Sequence, residues 1–209
     1  MPDRLSNKFF LTVYNLLVQL NYRLIWKCHP RHVLELYNKS LSANHLDVGV
    51  ATGIILDYFR FPTPNPRIAL MDLNPNCLEV TSKRLARYHP QTYLSNVLQP
   101  IVIDAKPFDS VGLANPLHWL PGTMKTKEVA FEHLKHLLNP GATIFGCTIL
   151  YDGVKRSPVA TVAMNILNAS RAMTNKEDDL EGLKHNLEKH FPESSVEAIG
   201  CVALFWARK

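Results

Sequence analysis

Two apolar segments, each carrying an acid at its end, constrain this chain more than any other feature. Leu46-Asp47-Val48-Gly49-Val50-Ala51-Thr52-Gly53 runs an apolar strand into a turn with two glycines separated by small residues. Ile68-Ala69-Leu70-Met71-Asp72-Leu73 is a second apolar strand that closes on a carboxylate. Asp72 lies about 20 residues past the glycine turn, the interval that a βαβ unit with a nucleoside crevice requires. The residue types suit that use. Gly49 and Gly53 let the backbone approach a ligand where a Cβ would collide. The turn feeds a helix start, whose free N–H groups can face an anion. A carboxylate at the tip of the next strand can accept both hydroxyls of a ribose.

Dinucleotide enzymes place G-x-G-x-x-G at such a turn and seat a pyrophosphate on the helix. Here position 54 is Ile, and Asp47 ahead of the turn would repel a pyrophosphate while suiting an ammonium group. The pattern resembles motif I of the class I S-adenosylmethionine-dependent methyltransferases, acid-x-Gly-x-Gly-x-Gly, with Ala51 where the family usually has Gly. The resemblance spans about residues 43–207. It implies S-adenosyl-L-methionine as cofactor and S-adenosyl-L-homocysteine as product. Asp47, Gly49, Ala51 and Gly53 would surround the amino-acid tail, with Asp72 and Leu73 at the sugar. Asn96 stands where the family has an Asp that accepts from the adenine amino group; capping of a turn is the competing reading. Asn115 follows the strand whose end points at the reacting methyl.

The fold expected from the resemblance is α/β, a Rossmann-like seven-stranded methyltransferase sheet. It is mostly parallel with the last strand antiparallel, has helices on both faces, and carries N-terminal lid helices. One domain is expected over residues 1–209: a helical lid at 1–42, a cofactor-binding core at 43–150, a substrate-side insertion at 151–177, and a C-terminal helix and hairpin at 178–209. Local signals agree. Asn74-Pro75 opens a helix with a capping residue and a first-turn proline. Asn139-Pro140-Gly141 reads as a helix stop and turn. Strands are expected at 46–50, 67–72, 92–97, 108–114, 142–150, 195–199 and 201–207, and helices at 7–26, 31–40, 124–138, 158–172 and 178–191.

Composition limits the alternatives. A 46% apolar content favours a packed core, and a net charge of +5 spread without blocks gives no call for nucleic acid. The four cysteines lie far apart with no metal-ligand spacing, which points to free thiols, a reducing cytoplasmic setting and no metal site. Residues 9–20 are apolar, but a polar stripe at helical spacing and no small-x-small site favour a buried helix over a signal peptide or stable membrane insertion. A small-molecule acceptor and a monomeric or homodimeric protein are expected.

The expected chemistry is in-line attack of a substrate oxygen on the sulfonium methyl, most of all a phenol or enol hydroxyl of a polyketide-like secondary metabolite. His118, just past strand four, is the candidate general base; shaping the pocket or bonding the backbone is the competing role. Trp119 would pack on the sulfonium or the substrate, against a competing place in the core. By the resemblance, Tyr14, Tyr22 and Trp26 would line the acceptor pocket, or merely pack on the sheet. Asn115-Pro116-Leu117-His118 distantly resembles the Asn-Pro-Pro-aromatic motif of amino methyltransferases, so N-methylation is the rival reaction. A cofactor-binding protein that catalyses a non-methylating step is a rival of another class.

Overall fold

The computed structural model of the protein describes residues 21–209. Tyr14 and most of the expected first helix lie outside the described residues. Helix α1 (Pro30–Ser40) leads into β1 (Asn44–Val48), the single turn α2 (Ile54–Asp57) and β2 (Arg67–Asp72). Helix α3 (Pro75–Arg84) and β3 (Gln91–Leu94) follow, then β4 (Phe108–Ala114), α4 (Met124–His136) and β5 (Leu138–Ile149). Helices α5 (Pro158–Ala169) and α6 (Leu180–His190) precede the closing hairpin of β6 (Glu193–Ile199) and β7 (Val202–Arg208).

The seven strands form one sheet in the order β3-β2-β1-β4-β5-β7-β6. Strands β1 to β5 pair in parallel, and β7 runs antiparallel between β5 and β6. The chain reverses its direction of travel across the sheet between β1 and β4, which places a crevice at the carboxyl ends of these strands. Strands β1, β4 and β5 are buried on both faces, so they read as continuous apolar runs rather than alternating ones. Leu46, Val48, Met71 and Val111 pack on one face with Phe131 and Leu134 of α4 and Leu183 and Leu187 of α6. Ile68, Leu70 and Phe145 pack on the other with Val33 and Tyr37 of α1, Leu78 of α3 and Met164 of α5.

Helix starts follow their expected chemistry. The Asn74 side chain accepts from Asn76 N–H, with Pro75 in the first turn, and Thr123 and Thr126 form a reciprocal capping box on α4. Three expectations are corrected. Strand three ends at Leu94 rather than Val97, so Asn96 lies in the following turn. Asn139-Pro140-Gly141 does not separate helix from strand. Leu138 already pairs with Phe108, and the register then shifts so that Ser110 meets Thr143, which makes the segment a bulge. Helix α5 stops at Ala169, where Asn168 turns inward to Asn175.

The segment after α5 is pinned by a buried ion pair. Lys127 of α4 and Asp178 are both 0% exposed, with Nζ 2.7 Å from each carboxylate oxygen. Lys127 Nζ also donates to the Thr174 carbonyl at 3.1 Å. Burial pushes the Asp178 carboxyl up to about 6 while Lys127 pulls it down, and burial lowers the Lys127 ammonium. Removing one partner strands a buried charge, which costs about 3–5 kcal/mol. Lys127→Met should lose that much in urea denaturation, and adding Asp178→Leu should recover most of it. The lone acid of the single variant binds its proton more tightly folded than unfolded. Its contribution to stability should therefore be complete below about pH 4 and be lost as pH rises toward 8. A single variant equally stable across that range would remove the pair from the fold's support.

Candidate active site

The tip of β1 sets the crevice. Gly49 N–H donates to the Met71 carbonyl at 2.8 Å, which brings the glycine turn level with Asp72. Gly49 (φ 70°), Ala51 (φ 49°) and Gly53 (φ 67°) all take left-handed backbone conformations. A Cβ on Gly49 would lie 2.6 Å from Cβ of Pro116, so only glycine lets the turn close on the segment after β4. Thr81 of α3 donates its hydroxyl to the Ala51 carbonyl at 3.2 Å and fixes the loop from behind. The helix after the turn is one turn long and contains Asp57. That is a poor seat for a pyrophosphate and leaves the acids as the main recognition groups.

Asp72 is half-buried and braced. Its Oδ2 accepts Ala51 N–H at 3.3 Å and its Oδ1 accepts Asn74 N–H at 2.9 Å. Both oxygens keep further lone pairs for a diol. Leu73 beside it is 67% exposed, an apolar surface next to the carboxylate. Asp47 is the opposite case, at 4% exposure. Its carboxyl stands above the usual carboxylate value, because burial pushes it up more than the hydrogen bond and charge from His45 pull it down. The neighbouring Gly112 makes room, since a Cβ there would lie 2.8 Å from Asp47 Oδ2. Asn96 uses its carbonyl oxygen to accept Leu98 N–H at 3.0 Å. It therefore caps a turn, and only its remaining lone pair could meet an adenine.

The segment after β4 carries the other expected groups. Asn115 sits at φ 70°, and its Oδ1 accepts the Tyr22 hydroxyl at 2.5 Å. The Cys147 thiol approaches the same oxygen at 3.5 Å, and burial pushes that thiol up to about 12. Tyr22 thus reaches the site through Asn115. Trp26, expected at the acceptor pocket, is 4% exposed and built into the core, where its carbonyl accepts Cys201 N–H of the β6–β7 turn.

His118 is buried and bonded to the backbone. It is 3% exposed, its Nδ1 accepts Ile149 N–H at 3.3 Å, and burial together with Lys127 pushes its pKa down to about 3. A ring that hard to protonate is a weak proton acceptor near neutral pH. Its carbonyl takes Thr174 N–H at 2.9 Å, so the residue fastens the 117–119 turn to β5 and to the Thr174 segment. Trp119 is 55% exposed, which removes the core reading and leaves a large aromatic face open beside that turn.

Sequence reasoning missed His45, Ser110, Gly112 and the Lys127–Asp178 pair. A glycine inside an apolar strand signals a close neighbour, and His45 inside β1 was the matching signal. The residues present fit a sulfonium nucleoside. A buried carboxylate suits an ammonium group, and a braced, half-buried one suits a ribose, with open backbone between them. Among the described residues no cluster of His, Cys, Asp or Glu could hold a metal ion. Among the described residues, too, no helix is long and apolar enough to cross a membrane.

Comparison with known proteins agrees with this geometry. A methyltransferase domain family matches residues 46–144, the stretch from β1 into β5. Demethylluteothin O-methyltransferase of Streptomyces thioluteus is 39% identical over 96% of this chain and 87% of its own length. The physcion biosynthesis cluster O-methyltransferase of Aspergillus chevalieri is 33% identical over 88% of this chain and 83% of its own. The fold is shared with the N-methyltransferase NodS of Bradyrhizobium japonicum, solved with S-adenosyl-L-homocysteine. That likeness has a TM-score of 0.57 at 16% identity and covers 99% of this chain and 95% of the other. With likeness of this degree along nearly its whole length, the protein belongs to the class I S-adenosylmethionine-dependent methyltransferases, enzymes that use S-adenosyl-L-methionine and release S-adenosyl-L-homocysteine.

Proposed function

We propose that the enzyme methylates a phenol or enol hydroxyl of a small, polyketide-like secondary metabolite. The observation that carries this reading is the engagement of Asn115. An amino methyltransferase of the Asn-Pro-Pro-aromatic kind needs a free asparagine carbonyl to hold its amine. Here that oxygen already accepts from Tyr22, with the Cys147 thiol against it. Position 117 is Leu and position 118 a buried His, so the motif also lacks its second proline and its stacking ring. Relatives named for O-methylation in metabolite pathways support the same reading.

The bound cofactor supplies an electrophilic methyl on a sulfonium leaving group. The chain's own residues mainly hold and align. Asp47 and the Gly49–Gly53 turn hold the amino-acid tail, while Asp72 and Leu73 hold the sugar. Alignment of this kind contributes roughly 7–11 kcal/mol. With His118 buried and hard to protonate, no strong base stands at the end of β4 among the groups expected there. The acceptor must then bring its own acidity, which a phenol or enol does and an alcohol does not. Trp119 offers its exposed face to such a planar acceptor. The buried Cys28, Cys147 and Cys201 and half-buried Cys77, all free, suit a cytoplasmic setting.

Three measurements test this. Across a series of phenols, the midpoint of the pH profile of kcat/KM should follow the phenol's own pKa. One fixed midpoint near about 6.5 for every acceptor would return the base to a histidine. Asp72→Ala should weaken S-adenosyl-L-homocysteine binding about 10- to 100-fold in calorimetry with little change in Tm; unaltered affinity would take Asp72 off the sugar. Trp119→Ala should raise the acceptor KM severalfold and leave stability within about 0.5 kcal/mol, as for an exposed side chain; an unchanged KM would place the acceptor elsewhere.

A further inference from the structure

We infer that His45, backed by Ser110, is a positioning residue for the amino-acid tail of the cofactor, acting through Asp47. The inference rests on Asp47 being the acid that receives the ammonium group. His45 and Asp47 lie two apart on β1 and so share a face of the sheet. Their chamber is walled by aromatic rings. Phe145 stacks on the His45 ring at 5.9 Å, Phe61 tilts toward it at 6.2 Å, and Tyr37 meets Phe145 edge-on at 4.7 Å. On β4, Gly112 stands opposite Asp47, and a Cβ there would come within 2.8 Å of Asp47 Oδ2 and 3.0 Å of His45 Cε1. The glycine is what admits the pair.

A carboxylate taken from water needs a donor in its place. His45 Nε2, 3.4 Å from Asp47 Oδ2, is the only side-chain donor at that carboxylate among the described residues. Behind the ring lies a run of hydroxyls. Nδ1 lies 2.8 Å from Ser110 Oγ, and Ser110 Oγ lies 2.8 Å from Ser42 Oγ. Ser42 in turn donates its hydroxyl to the Asn44 carbonyl at 2.9 Å and its N–H to Ser110 Oγ at 3.0 Å. In the tautomer in which Ser110 donates to Nδ1, the ring hydrogen sits on Nε2 and faces Asp47, so Oδ2 is engaged and Oδ1 is left for a cation.

The test compares two sulfur nucleosides on the full chain by calorimetry. S-adenosyl-L-homocysteine carries the amino-acid tail, and 5′-methylthioadenosine lacks it. His45→Leu should weaken the first about 10- to 100-fold, the loss of one hydrogen bond to a buried charge, and leave the second unchanged. His45→Gln, whose amide N–H can reach the place of Nε2, should restore most of the affinity. Ser110→Ala should give an intermediate loss for the tailed ligand alone. Equal losses for both ligands in His45→Gln and Ser110→Ala would overturn the inference in favour of general support of the pocket. Unchanged tailed-ligand binding in all variants would overturn it outright. A wild-type protein that binds both nucleosides equally well would remove Asp47 itself from the tail, a different failure from that of His45.

Discussion

The arrangement depends on placing a carboxyl group inside a sheet. Asp47 lies on β1, an interior strand of the sheet, at 4% exposure, shielded from water. Moving an ion of this kind into an apolar interior costs several kcal/mol unless donors replace the water. Several local choices answer that demand. Gly112 opens space on one neighbouring strand, His45 brings a ring nitrogen, and Gly49 bends the chain away directly afterward. The second acid needs less help. Asp72 is half-buried and held by two backbone N–H groups, as suits a group that exchanges those contacts for hydroxyls.

The same logic explains what surrounds the acceptor side. The 117–119 turn is fastened by His118 to β5 and by Thr174 to the segment behind α5. Thr174 is held in turn by Lys127, whose charge is matched by Asp178 in the core. A buried ion pair between α4 and the segment before α6 thus reaches the exposed ring of Trp119 through two carbonyls and one threonine. Polar groups in this half of the molecule serve to fix backbone, which fits the proposal that the acceptor brings its own acidity.

Much of this was legible in the chain. The acid-tipped strands, the glycine turn and the Asn74 cap follow from local pattern, because each rests on residues close in sequence, while the antiparallel closing strand was expected from the family resemblance. The misreadings came from contacts distant in sequence. His118 looks like a base until Ile149 and the core close over it. Trp119 looks like core until its turn presents it to solvent. Nothing local to Asn115 signals its contact with Tyr22, far earlier in the chain. Asn139-Pro140-Gly141 spells a stop, yet pairing between Leu138 and Phe108 begins the strand before it. His45 and Ser110 were invisible as a pair because they meet only when β1 and β4 lie side by side.

The central claim is that two acids at neighbouring strand tips hold opposite ends of one sulfonium nucleoside. A crystal structure of the protein with S-adenosyl-L-homocysteine tests it most directly. The account predicts both ribose hydroxyls within about 2.6–3.2 Å of the Asp72 oxygens and the ammonium group beside Asp47, directly or through one water. A nucleoside lying with its sugar away from Asp72, or its tail turned from Asp47, would contradict it.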